Sequence, residues 1–384
     1  MGKTTKREYL AAIWSRYRRV GRRFKSKILD EFCAICGYTR KYAIQLLARS
    51  LGRAKKRPGP RRQYDGAVLA ALKAIWLLSE QMCSKRLKAA LPIWLPFYEQ
   101  AAGVLLPEVR QKILRLSPAT IDRLLRPVRA RYPGKGFCGT RPGTWLKHQI
   151  PIRTEHWDAQ RPGYLEADTV AHCGNSLSGD FVWSLTFTDV FSQWTENRAV
   201  WNKGAMDVVR QIRDVEQQLP FAILAFDVDN GSEFLNHHLW RYFTHRPHRV
   251  HLTRSRPYKK NDQAHVEQKN WTHVRQLLGY QRIEDRSVIP LIDDLYRSWA
   301  QLHNFFCPTL KLLRKSRQGA KTRRHYSPPQ TPYQRLLACS ELLPEDRERL
   351  QASYAQLNPL ELKKGIESKL RKVFDHLRTR SGQL

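Results

Sequence analysis

The sequence predicts a mixed α/β core between an all-α N-terminal region and a mainly helical, basic C-terminal region. Three observations carry this expectation. Short runs rich in β-branched and aromatic residues, and later helical patterns, alternate between residues 161 and 280. Residues 7–49 and 66–131 are helical in pattern throughout. The charge is also unevenly placed. Residues 1–150 hold 33 basic and 8 acidic side chains, residues 151–270 hold 14 and 15, and residues 271–384 hold 21 and 11. A nearly neutral middle thus lies between two basic flanks.

The 384 residues suffice for two to four domains, and a 41% hydrophobic fraction is ordinary for a chain that buries real cores. A net charge of +34 is not ordinary and points to a polyanionic partner such as nucleic acid. The N-terminus MGKTTKREYLAAIW has no apolar core of signal-peptide type, and no run approaches the length of a membrane span. Seven scattered cysteines do not form a disulfide framework. These features predict a cytosolic, reduced protein without a membrane partner. Cys33 and Cys36 form a CxxC without a second Cys or His pair nearby, and read as buried helix residues.

Residues 1–51 have helix-turn-helix grammar. Ser26 is expected to cap a helix with Ile28, Leu29, Phe32 and Ile35 inward, and Gly37 to break it. Thr39 would cap a second helix with Tyr42, Ala43, Leu46 and Leu47 inward. Arg40, Lys41, Gln45 and Arg49 would then face a DNA groove. Residues 52–63 are a basic Pro/Gly linker. Residues 64–131 read as a second helical, helix-turn-helix domain. In it Ser117 is the N-cap, Pro118 the first helical residue, and Thr120, Arg123 and Arg126 are candidate DNA contacts. Residues 132–160 are a Pro/Gly-bearing linker.

In the core, expected at 161–312, YLEADTV, FVWSLTF and WTENRAV read as three strands and residues 204–219 as a helix. FAILAFDV is a buried strand, residues 233–244 a helix, HRVHL a strand, and DQAHVEQKNWTHVRQLLG a helix. The order is βββαβαβα. Residues 313–384 form a basic C-terminal region of helices interrupted by LRKSRQGAKTRR and SPPQTPY.

Three carboxylates occupy positions where this order could gather them. Asp168 lies on the first strand, Asp229 just after the fourth, and Glu267 within the last helix. Gln263, Glu267 and Asn270 share a face of that helix by their spacing. Glu166 and Asp227 are rivals, because each lies two residues from its neighbour and so on the same side of an ideal strand. Spacing alone does not decide between them.

The words EADTV, DNGSEF and SRPYKKNDQAHVEQKN, spanning about 161–280, resemble those of the integrase-core transposases, the DDE group that includes retroviral integrases and bacterial insertion-sequence transposases. The interval from Asp229 to Glu267 is slightly longer than the commonest in that family. The chain also lacks the N-terminal His/Cys zinc module of retroviral integrases, which places it with the helix-turn-helix relatives. The resemblance implies a ribonuclease-H-like core and selects Asp168, Asp229 and Glu267 as catalytic and metal-holding residues. It implies two divalent cations, magnesium or manganese, a reaction of metal-dependent DNA cleavage and strand transfer, and a homo-oligomer acting on double-stranded mobile-element ends and target DNA at the nucleoid. A sequence-specific DNA-binding regulator with an inert core is the alternative. Hard cations take oxygen ligands, which suits carboxylates. Arg256, Lys259, Lys260 and Lys269 are expected to hold phosphates around the site.

Overall fold

The structure, a computed structural model, describes residues 1–48, 63–130, 159–229, 231, 233–255, 264–318 and 321–381. Arg49, Asn230, Arg256, Lys259, Lys260 and Gln263 lie outside them, as do nearly all of both expected linkers. The chain divides into two compact units, Met1–Gln63 and Tyr64–Leu384.

The first unit contains α1 (Lys3–Arg19), α2 (Arg22–Cys36) and α3 (Arg40–Ala48). Its core joins Ile13, Ile28, Leu29, Phe32, Ala43 and Leu47. Gly37 ends α2 at φ 66°, a left-handed conformation that costs glycine little, and its N–H donates to Cys33 O at 2.8 Å. Ser26 is not a cap, because α2 begins four residues earlier with Gly21 before it. The basic run before Ser26 is helix-compatible, so the helix continues through it. Ile35 and Tyr42, expected inside, are 46% and 45% exposed. Two other aromatics explain this for Tyr42: Phe32 fills the core, and Tyr42 packs edge-on against Tyr38 at its rim.

The second unit opens with α4 (Gly66–Leu78), α5 (Ser84–Ala102), α6 (Pro107–Arg115) and α7 (Pro118–Arg129). Ser117 caps α7 by accepting the Thr120 N–H at 3.2 Å, with Pro118 at the first helical position. These helices share a unit with the sheet. Trp94 donates to Phe306 O at 2.9 Å, Arg86 to Pro308 O at 2.6 Å, and Lys363 pairs with Glu80.

The sheet follows the expected element order: β1 (Tyr164–Ala171), β2 (Val182–Asp189), β3 (Thr195–Trp201), α8 (Ala205–Gln218), β4 (Ala225–Val228), α9 (His237–Thr244), β5 (His251–Arg254) and α10 (Ala264–Lys269). Its spatial order is β3-β2-β1-β4-β5, with β1–β2 and β2–β3 antiparallel and β1–β4 and β4–β5 parallel. Phe243 of α9 packs on Phe226 of β4, which in turn packs on Phe187 of β2. The helix expected at 233–244 starts late because Asn236 caps it, accepting the Leu239 N–H at 2.9 Å. The long final helix is interrupted by a π turn, Asn270–Arg275, before α11 (Gln276–Leu278).

A short 3-10 turn leads into α12 (Ile289–Phe306), which lies along β3. An edge strand leaves main-chain groups unpaired. Here Asn304 Oδ1 accepts the Thr195 N–H at 2.9 Å, Asp293 Oδ1 accepts the Ala199 N–H at 2.7 Å, and Gln211 donates to Ala199 O at 3.1 Å. Side chains therefore close this edge. The basic segment read as an interruption forms a hairpin of β6 (Leu312–Gln318) and β7 (Lys321–Tyr326). The chain ends with α13 (Pro332–Leu337), α14 (Pro344–Gln356) and α15 (Pro359–Ser381). No helix among the described residues is long and apolar enough to cross a membrane.

Candidate active site

β1 is the central strand, and its parallel pairing with β4 sets the site. The last paired residues are Ala167 and Val228; one step beyond them lie Asp168 and Asp229. Register thus sets two carboxylates side by side where the β1–β4 ladder ends, Asp168 within β1 and Asp229 just beyond β4. Asp168 Oδ1 accepts its neighbour Thr169's N–H at 2.7 Å, and Oδ2 accepts from Asn270 Nδ2 at 2.6 Å. Asp229 Oδ1 accepts the Gly231 N–H at 2.9 Å, the local turn that the DNG word predicts.

A further buried carboxylate, Glu233, lies near Asp229 and was not singled out in the sequence, although it lies in DNGSEF. It is 3% exposed, accepts from Thr169 Oγ1 at 3.0 Å, and pairs with Lys203. Gly231 packs directly beside it: a Cβ there would lie 2.5 Å from Glu233 Oε2, so the Glu233 side chain would have to shift. Lys203 also stands over the Trp183 ring at 3.8 Å.

The electrostatics follow from this crowding. Burial, with Glu233 and then Asp168 nearby, pushes Asp229 up to about 7. Burial likewise raises Asp168, against the lowering effect of its bonds from Thr169 and Asn270. Lys203 offsets only part of the negative charge at either group. Closely set hard oxygen donors with raised pKa values suit a divalent cation.

The rivals have other work. Glu166 Oε2 accepts the backbone N–H groups of His265 and Val266 at 3.1 and 3.2 Å, so it holds the start of α10 against β1. A helix start exposes unpaired N–H groups, which a carboxylate satisfies well. Asp227 accepts from Thr253 Oγ1 at 2.6 Å, its cross-strand neighbour on β5. Glu267 lies on α10 between the two tethers that Glu166 and Asn270 make to β1, and it is exposed. The structure brings Asp168 and Asp229 together. No three His, Cys, Asp or Glu side chains among the described residues form a group able to hold one ion.

The expected DNA contacts are placed unequally. Arg40, Lys41 and Gln45 are exposed on α3, where Arg40 pairs with Asp30 and donates to Ser26 Oγ at 2.6 Å. Arg123 and Arg126 are exposed on α7, and Arg123 donates to Thr120 Oγ1 at 3.1 Å. Lys269 instead turns inward at 6% exposure, with Nζ 3.5 Å from Gln193 O. Burial, and then Arg86 and Arg335, push its ammonium down to about 7. An interior lysine is not the solvent-facing phosphate contact that the sequence suggested.

No family model matches the chain. A protein of Sinorhizobium fredii (strain NBRC 101917 / NGR234), described as "Uncharacterized protein y4rM", is 38% identical over 337 residues, which cover 86% of this chain and 95% of that protein. The chain belongs to the y4rM family. Similar solved structures include the simian T-cell lymphotropic virus intasome in complex with PP2A regulatory subunit B56 gamma. There the identity is 14%, over 47% of this chain and 58% of that chain, with a TM-score of 0.28. The catalytic core domain of BIV integrase is 16% identical over 46% of this chain and 94% of that chain, with a TM-score of 0.29. The fold of this y4rM relative rests on its own strand order and register rather than on those two likenesses.

Proposed function

We propose that this protein is an integrase-core DNA transposase that cuts and joins DNA at the ends of a mobile element. The observation that carries the reading is the adjacency of Asp168 and Asp229 where the β1–β4 pairing ends, with the Glu267-bearing helix tied to β1. Asp168, Asp229 and Glu267 are the residues that would hold two magnesium or manganese ions. When bound, such ions supply an activated oxygen nucleophile and neutralise charge on the leaving oxygen.

The chain's own residues then have distinct tasks. Asn270 fixes the Oδ2 atom of Asp168, Glu166 fixes the start of α10, and Lys203 with Thr169 holds Glu233 beside Asp229. The exposed residues Arg40, Lys41 and Gln45 on α3 would read element-end DNA, with Arg123 and Arg126 gripping its backbone. Arg256, Lys259 and Lys260, on the segment before α10, would hold phosphates near the cut. Joining two ends requires more than one protomer, so a homo-oligomer on DNA at the nucleoid belongs to the same proposal.

A second reading, a DNA-binding regulator with an inert core, draws on the exposed Glu267 and on the absence of a three-carboxylate group among the described residues. One experiment separates the two. Asp168→Asn, Asp229→Asn and Glu267→Gln should each abolish cleavage and joining of a labelled end duplex in magnesium and manganese, while end binding persists. Glu166→Gln and Asp227→Asn keep an acceptor oxygen and should retain substantial activity. Normal cutting by all five would remove the site; sequence-specific binding by a wild-type chain that never cuts would favour the regulator.

A further inference from the structure

The hairpin of β6 and β7 is a two-stranded sheet, hydrogen-bonded to no other strand among the described residues. An isolated hairpin is marginal in water, so this one needs a reason to persist. Between Leu312 and Tyr326 the sequence holds Arg314, Lys315, Arg317, Lys321, Arg323 and Arg324 with no acidic residue. The register sets Lys315 opposite Arg324 and Arg314 opposite His325. Lys315 and Arg324 are thus like-charged residues at opposed positions, an arrangement that is destabilising, and no acidic residue within the hairpin offsets it. The side chains of Arg314, Arg323, Arg324 and His325 are exposed.

The root of the hairpin, by contrast, is firmly built. Thr309 and Gln330 exchange main-chain bonds of 2.8 and 3.2 Å, and the Ser327 N–H donates to Lys311 O at 2.8 Å. Buried Arg335 donates to Thr309 O and Oγ1 at 2.6 Å each and to Ser192 O at 3.1 Å. Ser192 belongs to the turn between β2 and β3. The next residue, Gln193, bonds the His265 ring at 3.0 Å at the start of α10. A fixed root therefore links the ribbon to the helix that carries Glu267.

We propose that this ribbon binds duplex DNA, entering a groove with its arginines on the flanking phosphates, and leads the strand toward the Asp168–Asp229 site. The major groove admits a two-stranded β-ribbon, and phosphates offset the positive charge concentrated on it. Groove insertion also covers two bare strand edges that in isolation invite aggregation. The inference rests on the transposase reading for its destination, but the binding claim stands on the ribbon.

The test uses the full chain with Arg314→Gln, Arg323→Gln and Arg324→Gln combined, and a labelled mixed-sequence duplex titrated at several salt concentrations. Circular dichroism melts confirm that the variant is folded. The expected result is weaker binding, with a log–log salt slope shallower by about 0.9 for each phosphate that the variant no longer neutralises. An unchanged slope overturns the proposal. So does equal weakening on single-stranded RNA or on anionic lipid vesicles, which would mark a general polyanion surface. The catalytic reading is separated by Asp168→Asn, which should keep the wild-type slope while losing cleavage. If the wild-type chain never cut DNA while the ribbon variant still showed the shallower slope, the transposase reading would fail and the ribbon would stand.

Discussion

Asn270 donates a 2.6 Å hydrogen bond to Oδ2 of Asp168 from 102 positions further along the chain. That bond is charge-assisted whenever Asp168 is ionised, and such bonds contribute roughly 1.5–3 kcal/mol. Asn270→Ala should therefore lower end cleavage by about ten- to a hundredfold. Asn270→Asp, which sets a second carboxylate against Asp168, should be worse than Asn270→Ala. Equal activity of the alanine variant and wild type in single-turnover cleavage would show that the bond does not position the site.

Gly231→Ala probes the packing of Glu233. The new methyl would meet the Glu233 carboxylate at 2.5–2.7 Å and push it from Thr169 and Lys203. Overpacking of this kind costs roughly 1–3 kcal/mol of stability. A displacement of about 1 Å near reacting groups can cost on the order of a hundredfold in rate. Melting curves and cleavage assays on one preparation check both numbers.

Acid should unfold the protein through buried imidazoles. Burial, then Arg275, pushes His172 down to about 3, and burial holds His273 and His303 well below the usual 6.5. The neutral ring is the folded form, while an unfolded chain takes up a proton below about pH 6.5. Their stabilising contribution is thus complete above that pH and is lost as pH falls. Each histidine should remove about 1.4 kcal/mol per pH unit below 6.5, while the raised carboxyl of Asp229, which takes up its proton in the fold, works in the opposite direction. The histidine share is isolated by His172→Asn, which cannot take up that proton and should lose less stability than wild type between about pH 6.5 and pH 5. Identical profiles would mean that the ring does not titrate on unfolding.

Base reading by α3 makes a different kind of prediction. Arg40→Ala, Lys41→Ala and Gln45→Ala should each weaken binding to the cognate end by roughly 1–3 kcal/mol and to mixed-sequence DNA very little. Competition binding on the two duplexes measures this. Equal losses on both would make the three side chains phosphate contacts. Arg40 is the most constrained of them, being paired with Asp30 in the free protein.

The strand and helix order of the core was legible because each element has a clean local pattern. The choice of Asp168 and Asp229 over Glu166 and Asp227, by contrast, came from the resemblance of the EADTV and DNGSEF words, since spacing alone does not decide between them. Local pattern also placed Gly37 and Ser117, whose conformations depend on near neighbours only. What stayed hidden depends on distant chain. Glu233 looks like any helix-start carboxylate until Thr169 and Lys203 arrive from other elements. Lys269 looks solvent-facing until the turn at Gln193 covers it. The ribbon at 312–326 lacks the apolar alternation that marks a strand, since its residues pair without a core. The π turn at Asn270–Arg275 also leaves no local signature in the sequence, and its first residue, Asn270, bonds Asp168 on β1.

β1 serves as a common datum for the whole site. Through Asp168 it supplies one of the proposed metal-holding carboxylates directly, and through Glu166 it sets the position of the helix bearing another, Glu267. A small rigid displacement of the strand carries both along, so their separation is preserved to first order. Asp229 hangs from β4 and does not share that reference. Tolerance in the assembly is therefore concentrated at one seam, the parallel pairing of Ala167 with Val228, and thermal looseness there would separate the two aspartates before it disturbed either tether of the helix.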